Sequence, residues 1–141
     1  MTKVIIFFFI FIPHAWSNMV SINKFLQDNP EFGNDEILYI SSRCSALMYH
    51  LSSLQQTPKE NRKNLNHSSK EFSKLTLNIR KNIYQDLDDE IHIKIVYQKI
   101  DKLIDDYIDL SNKFFYETGT YINKDMWDDL EICSDILKSR N

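Results

Sequence analysis

The chain has 141 residues, of which 43% are hydrophobic, 13% aromatic and 26% charged, and its formal net charge is −3. Two glycines and three prolines are too few for the turns of a sandwich or barrel, and the apolar and aromatic share is too high for a disordered chain. The length allows one domain, and without a basic excess there is no electrostatic footprint for nucleic acid, so an all-α fold is the expectation.

The first segment reads as an address. Lys3 gives a short positive region, Val4 to Ile12 is an unbroken apolar run, Pro13 ends it, and Ala15-Trp16-Ser17 places small residues three and one before a cut. That order is the form of a secretory signal peptide over residues 1–17. As a helix the apolar run would extend only ~14 Å, whereas a bilayer core takes ~20 residues. No later stretch approaches that length, so no membrane span is expected in the mature protein, and its place is a periplasm or the outside of a cell. Loss of Lys3 makes the mature chain slightly more acidic.

Ile22, Phe25 and Leu26 lie in a polar lead over residues 18–34 and mark one short helix. Asn34 or Asp35 then offers a side-chain oxygen to cap a long helix over about 35–56. Its Ile37, Ile40, Cys44, Leu47, Leu51 and Leu54 recur at alternating steps of three and four, which places them on one seam. Thr57-Pro58-Lys59-Glu60 has the form of a capping box with proline at the first helical position, so the chain reverses there almost without a loop.

The next helix carries Leu65, Phe72, Leu75, Ile79 and Ile83. Its first two turns are weakly apolar, and Ser68-Ser69-Lys70-Glu71 is a second capping-box pattern, so starts near 58 and near 69 both fit. Asp86, Asp88, Asp89 and Glu90 suit the positive end of a third long helix. There Ile93, Val96, Ile100, Leu103, Tyr107, Leu110 and Phe114 form the most regular seam in the chain. Thr118-Gly119-Thr120 ends it, and Asn123 or Asp125 caps a last helix with Trp127, Leu130, Cys133 and Leu137 on its inner face. Four amphipathic helices with short connections predict an up-down-up-down four-helix bundle over residues 35–141.

The two cysteines can be placed on that scaffold. Stacking the expected helix lengths brings Cys44 and Cys133 within about 7 Å of one height along the bundle. Both lie on inward seams, in an oxidising compartment. A Cys44–Cys133 disulfide between the first and last long helices is predicted, with two buried free thiols as the alternative. Its closed loop would stabilise the fold by roughly 4 to 5 kcal/mol on the chain-entropy model. A catalytic thiol is not expected, because neither cysteine stands with a histidine in a nucleophile motif.

Ser42-Arg43-Cys44-Ser45-Ala46-Leu47, with Tyr116-Glu117-Thr118-Gly119 and Asp129-Leu130-Glu131-Ile132-Cys133, resembles a set of small exported two-cysteine helical proteins of marine bacteria and their viruses. The resemblance covers most of the mature chain. It implies that the cysteine pair belongs to a shared pattern; those proteins are themselves uncharacterised, so it brings no substrate, partner or catalytic residue.

Chemistry-bearing groups are few. Tyr39, Arg43, Ala46 and His50 share a stripe beside the cysteine seam. As a cleft, it would hold an anionic group on the Arg43 fork with His50 as acid or base. As structure, Arg43 would pair with a carboxylate such as Asp135 or Asp101, and His50 would sit at the bundle edge; this second reading is preferred. Asp89 and His92 are spaced to share a metal, but nothing elsewhere matches them as a di-metal bundle requires, so no metal is expected. The acidic group Asp86, Asp88, Asp89 and Glu90 lacks the glycine and spacing of a calcium loop, so helix capping is preferred for it.

Phe115, Tyr116, Tyr121 and Trp127, with Tyr107 and Phe114, crowd one end of the bundle and form a candidate recognition patch. No cofactor, phosphate-loop or serine-nucleophile motif is present. The preferred function is therefore an exported binding or accessory protein with a protein partner. A small ligand-binding enzyme or hydrolase using Arg43 and His50 is the alternative.

Overall fold

The computed structural model describes residues 19–140, so the expected signal segment lies outside the described residues. Among the described residues there are five helices and no strand: α1 (Ile22–Asp28), α2 (Asn34–Ser53), α3 (Lys59–Ile83), α4 (Asp89–Thr118) and α5 (Lys124–Lys138).

Local chemistry sets each boundary. Ser21 Oγ accepts from the Lys24 amide at 3.3 Å and starts α1. Neither Asn34 nor Asp35 caps α2, because extended Gly33 already occupies the cap position and Glu36 reaches back to its amide at 2.9 Å. Thr57 does not cap α3 either. Its hydroxyl donates to the Leu51 carbonyl at 2.7 Å, closing the end of α2, while Pro58 takes the cap position of α3. The start near 58 is thus the one adopted. Gly119 ends α4 at φ 79°, a left-handed conformation that favours glycine, and its amide meets the Phe115 carbonyl at 2.8 Å. Asn123, not Asp125, caps α5 by accepting from the Met126 amide at 2.9 Å.

α2 is the central element, packed against α3, α4 and α5. It is buried nearly all round between Ile40 and Met48, as a core helix is. Small hydroxyl residues line its contact with α3. Ser45 Oγ donates to the Ser69 carbonyl at 2.9 Å, and Ser69 Oγ returns a bond to the Ser45 carbonyl at 2.8 Å. Thr76 Oγ1 reaches Ser41 Oγ at 2.9 Å. The partner numbers fall as α2 rises, so α3 runs back along it.

Two apolar clusters flank α2. Leu47, Leu51, Val96, Ile100, Leu103, Tyr107 and Met126 form one. Ile22, Ile40, Met48 and Phe72 form the other around the Cys44–Cys133 disulfide, whose Cα atoms are 5.5 Å apart. The bond ties α2 to α5, and α1 packs on α5 through the same cluster.

Two expected faces hold along most of their length and differ at their first residue. Ile93 is 43% exposed, and His92 at 1% takes the inward place. The buried stripe of α4 is His92, Val96, Ile100, Leu103, Tyr107 and Ser111, which keeps the expected Val96, Ile100, Leu103 and Tyr107, with Leu110 half-buried beside them. On α5, Trp127 is 56% exposed and Met126 is buried at 1%. The inner stripe there runs Met126, Asp129, Cys133.

Candidate functional site

Arg43 is 1% exposed, and its guanidinium uses three nitrogens on three partners. Nε donates to Tyr107 Oη at 2.9 Å, Nη1 to Tyr39 Oη at 3.2 Å and Nη2 to Asp129 Oδ2 at 2.6 Å. Asp129 Oδ1 accepts from the Ile22 amide at 2.6 Å, and Tyr107 Oη donates to Oδ2 at 3.3 Å. The carboxylate therefore joins the start of α1 to α2, α4 and α5. The expected partners Asp135 and Asp101 are both exposed; Asp129 wins because it alone lies on the Cys133 stripe of α5. That register was available in the sequence, since Asp129 stands four residues before Cys133.

Burial opposes the charge on Arg43, but facing Tyr107 and Asp129 more than offset it and hold its pKa above the ordinary value. Burial likewise pushes the Tyr107 phenol up. Burial also pushes the Asp129 carboxyl up, against the pull of Arg43 and the Ile22 amide.

His50 lies inside rather than at the bundle edge, at 3% exposure. Its Nε2 shares a 2.6 Å hydrogen bond with Ser111 Oγ, and its ring stacks on Tyr107 at 6.2 Å between centroids. Tyr107 thus separates Arg43 from His50. Burial lowers the His50 pKa to about 4, so the ring is neutral near pH 7. The distance suits a nucleophile and base, yet Ser111 is 1% exposed and, among the described residues, buried His50 Nδ1 has no hydrogen-bond partner. A working triad needs an orienting group at that nitrogen and a path for substrate.

No protein-family model matches the chain, and neither a curated protein nor a solved structure matches it significantly.

At the surface the aromatic patch divides. Phe115 stacks on Tyr121 at 4.3 Å and meets Tyr116 edge-on at 6.4 Å, with Tyr116 87% exposed. Trp127 lines a separate, uncharged groove of about 480 Å³ beside Pro58, Leu65 and Leu130. A second groove of about 640 Å³ opens between α3 and α4 over Ser45 of α2. The spaced pair Asp89 and His92 does not converge: Asp89 meets Lys81 at 2.9 Å while His92 points inward. Among the described residues, no group of three His, Cys, Asp or Glu side chains is placed to hold a metal, and no helix is long and apolar enough to cross a membrane.

Proposed function

We propose that the chain is an exported, disulfide-tied binding protein that acts in a periplasm or outside a cell, with its Arg43 and His50 groups serving the fold. The observation that carries this reading is closure: Arg43, Tyr107 and Asp129 are each 1% exposed or less, and His50 is 3% exposed. A substrate cannot reach groups that solvent does not reach, which weighs against a hydrolase built on them.

Export is supported by the charge, apolar run and small-residue order of residues 1–17, and by a cross-link suited to an oxidising compartment. An up-down-up-down arrangement of α2 to α5 is supported by the side-chain pairings. Arg43 with Tyr107 and His50 with Ser111 rise together, whereas Tyr107 with Asp129 and Ser111 with Met126 run oppositely. The segment around Cys44, together with that around Cys133, supports a place among the small exported two-cysteine proteins that the sequence resembles.

Exposed Phe115 and Tyr116, backed by half-buried Tyr121, are the surface proposed to meet a protein partner, because aromatic rings bury large area on binding. The test is capture from extracytoplasmic extract with the oxidised protein as bait. A stoichiometric partner that Tyr116→Ala weakens is expected. Turnover of a small substrate that depends on both Arg43 and His50 would overturn the reading.

A further inference from the structure

The groove between α3 and α4 has walls of opposite charge. α3 contributes Lys70 and Lys74, and α4 contributes Asp101 and Asp105. Each pair is four residues apart, so its members lie on one helix face about 6 Å from each other. Lys74 holds Glu71 on its own helix at 2.9 Å. Among the described residues, Lys70, Asp101 and Asp105 make no ion pair or side-chain hydrogen bond. Opposite charges that flank one space without meeting leave room for something between them.

The remaining lining narrows what that is. The floor is a hydroxyl cluster of Ser45, Ser69 and Ser73, with Ser45 Oγ 2.8 Å from Ser73 Oγ. Tyr49 and Tyr97, 46% and 49% exposed, also line the groove. A simple cation would be favoured by the aspartates and rings but repelled by the lysines, and a simple anion would meet the reverse. A ligand carrying both charges satisfies both walls, and its cationic end can also rest on a tyrosine face. The groove, at about 640 Å³, is within the size range of small-molecule sites.

We propose that this groove binds a small zwitterion, the free ammonium and carboxylate of an amino acid or short peptide, with the ammonium on Asp101 and Asp105 and the carboxylate on Lys70 and Lys74. The proposal rests on the reading of the chain as a binding protein and gives it a ligand class. Each wall is exposed and screened by water, so a single charged contact holds little. Both ends must engage at once.

The probes are alanine, dialanine, N-acetyl-dialanine and dialanine amide, titrated into the oxidised protein and followed by the ring resonances of Tyr49 and Tyr97. Saturable shifts with dialanine or alanine are expected, and the tighter of the two tells whether a peptide or a free amino acid is the source. Blocking either end should weaken binding at least about tenfold. Lys70→Glu and Asp101→Lys should do the same while leaving the melting temperature close to that of the parent, since both side chains are exposed. No shift at millimolar probe, or equal binding of free and blocked dipeptide, would overturn the proposal. Capture of a protein partner alongside such a result would leave the broader binding reading standing, whereas failure of both experiments would end both.

Discussion

Arg43 Nη2 lies 2.6 Å from Asp129 Oδ2 with both side chains 2% exposed or less, and the same pair holds the Ile22 amide at the start of α1 and the Tyr107 hydroxyl of α4. Removing either charge leaves the other buried and unpaired. Asp129→Asn should therefore destabilise the fold by about 3 to 5 kcal/mol, and replacing both partners with apolar residues of similar size should recover much of that loss. Denaturant melts of the two single variants and the double variant check this. Purely additive losses would contradict it.

Arg43→Lys keeps the charge and loses the planar fork that reaches Tyr39, Tyr107 and Asp129 together. Each abandoned buried partner costs on the order of 1 to 3 kcal/mol. A lowered melting temperature is expected, with capture of a partner unchanged when equal amounts of folded protein are compared. Lost binding at unchanged stability would move the cleft hypothesis ahead.

The pH dependence follows from His50. Its pKa falls to about 4 in the fold, from an ordinary value of 6.5, because burial disfavours the charged ring. Above about 6.5 neither state binds the proton and the full stability is present. As pH falls through that value the unfolded chain takes up a proton that the native ring refuses, and stability is lost progressively down to about 4, by roughly 3 kcal/mol in all. His50→Gln should flatten this part of the curve of unfolding free energy against pH. Identical curves for parent and variant would show that His50 does not carry the effect.

The start of the inner face of α5 separates two neighbouring residues. Met126 is 1% exposed and Trp127 is 56% exposed. Met126→Ala should cost about 2 to 5 kcal/mol as a core truncation, whereas Trp127→Ala should cost under about 1 kcal/mol as a surface change. Chemical denaturation of both variants decides it, and the reverse order would restore the face expected from periodicity.

The helices were legible because apolar spacing and end chemistry agreed along most of the chain. The short Ile22 helix, the proline-marked start of α3 and the glycine end of α4 all left local signals. The cysteine pairing was legible because two residues on inward seams have one partner each. Polar interiors were not. Asp129 on an apolar stripe reads as a surface residue until Arg43 is brought against it, and His50 becomes interior only when Ser111 and Tyr107 enclose it. The ends of the α4 stripe were not legible either, because apolar Ile93 turns outward while polar His92 and Ser111 turn inward. The charged walls of the α3–α4 groove are two ordinary four-residue repeats in sequence, and only the gap between the helices makes them opposed.

Export, cleavage and cross-linking are tested together by one measurement. It is the intact mass and non-reducing peptide map of protein recovered from the extracytoplasmic fraction. A chain beginning at Asn18, with the peptides of Cys44 and Cys133 linked, is predicted. Reduction of that link should then lower stability by roughly 4 to 5 kcal/mol. A chain that retains Met1 to Ser17, or two thiols that alkylate freely in native protein, would contradict it.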